Sequence, residues 1–492
     1  MYNSIQHFLN FGVKKISDES AAFYENPENF SDFVVKVKED VLGLGLAIIS
    51  EELENMDDFI RNSSVRKQKW VVVRKDETSL ITSLGTIRYH KTMFKNKKNG
   101  ERRYLLDEFM KLHPHERITT DAIAEMLQEA TETSYRRGGE ETSLTDSVSK
   151  QTVKNVVHAL KFPKIEYHSE KKKVKRLFIC ADEDHVALQF RAERGDLEPA
   201  LNGQIYNNCI SKLVYVYEDC IPEAPKSKRN KLVNPYYFSG IYDGTEENLR
   251  LWKEVADYIE NTYEVEEGGH IFLYGDGGAW INAAKEMLPS NLVMFLDKFH
   301  LMKYVNQAVS HMGDSVDDAR NYLIGIFKSR GTINDLDKAF EKLYEFAEDD
   351  KTKNKIEISY RYIRGNWGKI CNDYQYGYRH GCNAEGHVSH VLSGRLSSRP
   401  MGWSKLGIDK MSKLRAYRAN EKDFMELAKF QREEYIPAAE LEDIRFGLAD
   451  VLLSERASKH ANGKYYDKYT THIAGSTARK ILSIREKIYT YN

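Results

Sequence analysis

The sequence predicts an α/β protein: a sheet-bearing core, interrupted by a block of helices and preceded by a helical, hairpin-bearing N-terminal region. Three observations predict it. Runs of apolar and β-branched residues end in aspartate at "RLFICAD" (Asp182) and "HIFLYGD" (Asp276), as expected of strands that deliver a carboxylate at their ends. A glutamate, Glu385, opens a helix-like stretch in "AEGHVSHVLSGRLSSRPMGW". Roughly 109 residues separate Asp276 from Glu385, too many for a simple connection.

Each element follows in order. Residues 1–65 read as helical, because "DFVVKVKEDVLGLGLAIISEELENMDDFIR" repeats apolar residues at helical spacing. Three strand-like runs follow, "KWVVVRKD", "LGTIRYHKTMF" and "RRYLL", the last two joined at Asn99-Gly100, a hairpin-turn signal. Residues 117–161 read as a helix-turn-helix. Ile123, Met126, Leu127 and Ala130 share one helical face, and Val153, Val156, Val157 and Leu160 share another after the cap candidates Ser147 and Ser149. "RLFICAD", "SKLVYVYED", "NPYYFSGIYD", "HIFLYGD" and "NLVMFLD" supply five strands. Three that meander and two added through a strand–helix–strand unit fit an RNase H-like order. "VDDARNYLIGIFKSR", "INDLDKAFEKLYEFAEDD" and "KNKIEISYRYI" make the interval before Glu385 an all-helical insertion. The expected division is 1–110 helical plus hairpin, 111–165 helix-turn-helix, 166–300 first part of the core, 301–380 insertion, 381–440 second part of the core, and 441–492 a helical tail.

Composition narrows the function classes. Hydrophobic residues are 41% and charged residues 30% of 492, as in a globular protein in water. The net charge of −1 gives no global basic field, so any nucleic-acid contact must come from local patches. Five scattered cysteines without a CxxC fit a reducing cytosol better than a disulfide framework or zinc ribbon. No apolar run reaches the roughly 20 residues of a membrane span, and "MYNSIQHFLNFGVKK" carries no signal-peptide block. The expectation is a cytoplasmic protein.

Two strand-borne aspartates and a helix-borne glutamate supply what two-metal phosphoryl transfer needs: oxygen ligands converging on two divalent ions. The null for each alone is a cap or loop carboxylate. Asp184 competes with Asp182, since both can face the same side of an extended segment; Asp182 is preferred because it directly ends the apolar run. The glycines around Asp276 leave room for a metal and phosphate, or serve a tight turn, or both. Asp297 and His300 in "LDKFH" form an accessory polar cluster, more consistent with a structural or orienting role than with a tetrahedral metal site.

The motifs "ADEDHVALQ", "YGDGGAWI", "FLDKFHLMKYV" and "EGHVSHVLSGRLSSRPMGW" resemble the ISLre-type bacterial insertion-sequence transposases, which are DDE enzymes with an RNase H-like core. The resemblance runs from about Ser4 to about Ile488. It implies that Asp182, Asp276 and Glu385 are the catalytic metal ligands and that two Mg²⁺ ions serve as cofactors, with Mn²⁺ able to substitute. It also implies cleavage of element ends and 3′-OH strand transfer into target DNA. Double-stranded DNA would then be the partner, as terminal repeats and target, with a homodimer or larger assembly in the DNA complex and no membrane. Candidate DNA contacts are Lys150, Gln151, Lys154 and Asn155 on the second helix, Arg102 and Arg103 on the hairpin, and Arg395 and Arg399 after Glu385. The bland reading of each is a solvated face, an edge that resists aggregation, or helix-surface pairing. Trp403 is expected to pack in the core. Two other functions compete: an RNase H-like nuclease that cuts without joining, and a DNA-binding regulator without catalysis.

Overall fold

The computed structural model describes residues 3–167, 169–189, 207–227, 229–329, 331–376 and 384–432. The expected tail at 441–492 lies outside the described residues. The chain is a mixed α/β protein with a helical N-terminal part, and it divides into two compact units.

Of the described residues, the first unit holds 3–125, 140–147 and 428–432. Its longest element is the Phe30–Asn62 helix, which packs on a three-stranded antiparallel sheet of β1 (Trp70–Ile81), β2 (Thr86–Asn96) and β3 (Arg102–Tyr104). The three strands fall on the three predicted runs. Gly100 adopts φ +76° in the β2–β3 turn, a conformation that glycine reaches without penalty. Ile60 of the helix and Trp70, Ile87, Tyr89 and Phe94 of the strands form the core. Asp57 locks the helix to β2: one carboxylate oxygen accepts from the Thr92 N–H at 2.9 Å, the other from the Thr92 hydroxyl at 2.6 Å.

The second unit holds residues 126–139 and 148–427. Its sheet runs β10-β9-β4-β5-β8. Strands β4 (Lys172–Ala187), β5 (Asn208–Tyr217) and β8 (Tyr236–Gly240) are antiparallel neighbours. Between β5 and β8 lies a two-stranded ribbon, β6 (Asp219–Pro222) and β7 (Asn230–Val233). Strands β9 (Tyr263–Gly275) and β10 (Leu292–Leu296) add in parallel on the far side of β4. The Gly244–Thr262 helix connects β8 to β9. Leu251, Trp252, Val255 and Ile259 of that helix pack with Leu177, Ile179 and Val216 of the sheet in one buried cluster. The opposite face is aromatic: Phe178 stacks on Tyr217 at 5.3 Å and Tyr274 on Phe295 at 4.8 Å.

Five helices between Lys298 and Tyr376 build their own core from Leu301, Val305, Phe327, Leu336, Phe340 and Ile363, among others. They occupy the interval where the sequence predicts a helical insertion. The Lys150–Ala159 helix begins at Ser149, whose hydroxyl accepts from the Thr152 N–H at 3.1 Å. This helix packs against the Lys405–Ala419 helix, where Lys410 donates to the Leu160 carbonyl at 2.6 Å. Among the described residues, no helix is long and apolar enough to cross a membrane, and Cys180, Cys209, Cys220 and Cys371 form no disulfide.

Candidate active site

Strand register brings the two aspartates together. Cys180 of β4 pairs with Tyr274 of β9, the last pair of that ladder. Asp182 and Asp276 each lie two residues further on, so the parallel strands deliver both at one edge of the sheet. The β9–β10 ladder ends at Gly275 and Leu296, which puts Asp297 at the same edge; its N–H donates to the Gly275 carbonyl at 2.8 Å.

Several contacts hold the Asp276 loop. One Asp276 carboxylate oxygen accepts from the Gly278 N–H at 2.7 Å, a local turn that fixes the side chain. Gly277 has φ +87° and lies so close to Asn366 that a Cβ would fall 2.4 Å from the Asn366 side-chain oxygen. The Tyr362 hydroxyl donates to the Asp276 carbonyl. From β4, the Glu183 carboxylate accepts from the Trp280 indole at 2.8 Å and pins the helix that follows.

The edge is acidic and partly desolvated. Burial pushes the Asp182 carboxyl up to about 6, and the fields of Asp276 and Asp297 raise it further. The Glu183 N–H, donating at 2.9 Å, and His300 oppose the rise. The imidazole of His300 meets the Asp297 carboxylate at 2.8 Å, and that bond raises its pKa, with Asp182 and Asp276 adding to the effect. Asp182, Asp276, Asp297 and His300 therefore form one electrostatic cluster. Sequence reasoning places Asp297 and His300 only as accessories.

Asp184 takes a different part. It is buried, and one oxygen accepts from the Ser397 hydroxyl at 2.8 Å. Its carboxylate is tied to the segment after Glu385. Glu385 itself lies exposed on the Ala384–Val388 helix, which packs against β4, while its neighbour His387 bonds to the Tyr237 hydroxyl at 3.0 Å. Among the described residues no group of three or more His, Cys, Asp or Glu side chains gathers closely enough to hold a metal. The donor chemistry suits a hard divalent ion: carboxylate oxygens, one of them held above its usual range chiefly by burial. Two aspartates meet this description side by side; Glu385 does not close the set.

The candidate DNA contacts divide by exposure. Lys150, Gln151 and Asn155 are exposed and Lys154 is partly so; Gln151 donates to Asn155 at 2.8 Å on the outer face of their helix. Arg102 and Arg399 are exposed. Arg103 is engaged by Glu101 and Glu108 at 2.7 and 2.8 Å. Arg395 corrects the sequence reading. It is 4% exposed, donates to the Ala130 carbonyl at 3.0 Å, and lies 4.7 Å over the Trp403 ring. A cation there satisfies an orphan carbonyl in the last turn of the Thr120–Glu132 helix and complements its dipole, so this guanidinium is withdrawn from any phosphate. Trp403 is 7% exposed and its indole donates to the Leu396 carbonyl at 3.0 Å, which makes it core as expected.

Residues that sequence reasoning missed are Glu183, Trp280, Tyr362, Asn366 and Lys369. Only Glu183 and Trp280 carried a signal, by standing inside the two aspartate motifs. Tyr362 and Lys369 are ordinary helix residues and Asn366 caps the first of their two helices, all three brought near the Asp276 loop by long-range packing.

Comparison with known proteins follows the same chain. A solved structure, the Drosophila P element transposase strand transfer complex, matches with a TM-score of 0.23 and 10% identity over 69% of this chain and 83% of that one, a likeness too low to bear on fold or activity. Two UPF0236 proteins of Caldanaerobacter subterraneus subsp. tengcongensis are each 34% identical, over 424 and 427 residues, covering 86% of this chain and 85% of each relative. The profile described as Uncharacterised protein family (UPF0236) matches residues 24–433, and the chain belongs to that family.

Proposed function

We propose that the chain is the DNA transposase of a bacterial insertion sequence, working through an RNase H-like core in the cytoplasm. The observation that carries this reading is the register of the five-stranded sheet. Three antiparallel strands are followed by two parallel ones, and Asp182 and Asp276 stand at matching positions past the last pair of two adjacent parallel strands. A second support comes from the relatives. One of these relatives is named for eleven loci of a single genome and the other for four. One coding sequence at many loci is the trace that a self-moving element leaves.

In this reading Asp182, Asp276 and Glu385 are the ligands of two Mg²⁺ ions, or of Mn²⁺ in their place, which would supply Lewis-acid activation of the attacking oxygen and stabilisation of the leaving one. Glu385, exposed on its short helix and outside any closed carboxylate group, would have to be carried toward the aspartates for the set to be complete. Asp297 orients the His300 imidazole, and His300 in turn favours the ionised form of Asp182. Water attacks the phosphodiester at the element end and frees a 3′-OH; that hydroxyl then attacks a target phosphodiester in the same site. No covalent protein–DNA bond forms. Two ends must act on one target, so the working complex is a homodimer or larger on double-stranded DNA. Lys150, Gln151, Lys154, Asn155, Arg102 and Arg399 contact that DNA.

The test is strand transfer. Purified protein, Mg²⁺ and a duplex ending in the inverted repeat that flanks the gene should join a pre-cleaved 3′ end to a target plasmid. Cutting without joining would leave only a nuclease; binding without either would leave a regulator.

A further inference from the structure

A second positively charged feature lies beside the aspartate edge, outside the candidate DNA contacts. Edge strand β10, the Ala284–Met287 helix and the Trp367–Tyr376 helix enclose a polar cleft of about 430 Å³. Lys285, Lys369, Asn366, Asn372 and Tyr376 line it, with no carboxylate among the lining residues. Lys369 is partly buried, and its ammonium donates to the Asn366 side-chain oxygen at 2.8 Å. Burial lowers its pKa, and Lys285 adds to the effect, so the two like charges feel each other. Neither lysine forms an ion pair with the described residues. Asn372 donates to the Met294 carbonyl at 2.8 Å, which fixes one wall against β10.

The cleft connects directly to the aspartate edge. Asn366, whose side-chain oxygen accepts the hydrogen bond from Lys369, is the residue packed on Gly277, next to Asp276. Asp276 is also the group whose field raises the Lys369 pKa. Two cations converging without a counter-charge cost stability unless an anion binds between them. Lysines suit phosphate as flexible point charges, and asparagine amides add neutral contacts.

We propose that this cleft is a phosphate-binding subsite that takes a backbone phosphate of the DNA strand led to Asp276. The nature of the strand rests on the transposase reading; the affinity for a phosphate group does not.

The experiment uses the full-length chain and the double variant K285M/K369M, which keeps the apolar stems and removes both charges. Anisotropy of a fluorescein-labelled duplex, without divalent ions, gives the salt dependence of binding. The double variant should bind about tenfold more weakly, and its slope of log K against log salt should fall by about 1 to 2, one or two lost phosphate contacts. K285R/K369R should restore most of the loss. Lys285 is exposed, so K285M alone should fold and show part of the change. Calorimetry with inorganic phosphate and pyrophosphate separates the sources. Uptake of either by the wild type that K285M/K369M abolishes, with DNA binding unchanged, would keep the phosphate subsite and overturn its assignment to a DNA strand. If the wild type binds no DNA but takes phosphate through these lysines, the subsite stands and the transposase reading falls. A folded double variant with unchanged slope and unchanged phosphate uptake overturns the subsite.

Discussion

Around the three-stranded sheet of the first unit several charges are closed off locally, while Arg102 stays exposed. Lys91 pairs with Asp107, Arg103 engages Glu101 and Glu108, and Asp57 gives both oxygens to Thr92. At the edge of the five-stranded sheet the pattern reverses. Asp182 stands in the field of Asp276 and Asp297, beside the His300 imidazole whose pKa the three acids raise. Local pairing supports a fold at little electrostatic cost. A buried carboxyl such as Asp182, raised by burial and further by neighbouring acids, costs stability once ionised, and such groups gather where chemistry needs them. The contrast separates a sheet built to hold from an edge built to act.

The largest expected effect would break the contrast outright. Asp276→Asn and Glu385→Gln should each lower cleavage and joining by about a hundredfold to a thousandfold, while end binding persists; gel assays of cleaved and joined DNA give the measurement. Full activity of either variant removes that residue from the site.

The next effect tests the first sheet. Asp57→Ala leaves the Thr92 N–H and hydroxyl without partners in a fully buried place. Urea unfolding should show a loss of about 2–4 kcal/mol, with joining by the remaining folded protein unchanged. A loss below 0.5 kcal/mol, in the range of ordinary surface changes, would mean the pairing there is incidental.

A smaller effect distinguishes the acidic edge by pH. The Asp182 carboxyl titrates near 6 when folded, above its ordinary 3.8. A raised carboxylate favours the folded state while protonated. Its contribution is fully present below about pH 4 and is lost as pH rises through about 6. Asp182→Asn should therefore flatten stability across pH 4–7 and raise it at pH 7 by about 1–3 kcal/mol. Thermal melts at several pH values without divalent ions measure this. An equally pH-dependent variant would contradict the assignment.

The smallest effect concerns the surface. Lys150→Ala or Arg102→Ala should each reduce the salt slope of DNA binding by about 1. Arg103→Ala should change it less, because Glu101 and Glu108 already engage that guanidinium. Equal changes at all three would show that internal pairing does not decide which cations meet DNA.

What the sequence made legible was local. The apolar runs became β4, β9 and β10, the Asn99-Gly100 turn became the β2–β3 turn, and Ser149 became a helix cap, because each signal lies within a few residues of its effect. What it hid was long-range. Arg395 reads as a free cation until its guanidinium meets Ala130, 265 residues away. Tyr362 reads as an ordinary helix residue until its hydroxyl meets the Asp276 carbonyl. Asp182 and Asp184 share one strand periodicity, and only three-dimensional contacts distinguish them: Asp184 accepts from Ser397, while Asp182 stands in the field of Asp276, Asp297 and His300.

That pair gives the most direct test of the central claim, that the C-terminal edge of β4 and β9 is the active site. Asp182→Asn and Asp184→Asn should be compared side by side in joining a pre-cleaved element end to target DNA, with folding checked by circular dichroism. The account predicts that Asp182→Asn joins nothing and that Asp184→Asn, whose carboxylate serves Ser397, still joins. An active Asp182→Asn protein beside an inactive but folded Asp184→Asn protein would contradict it.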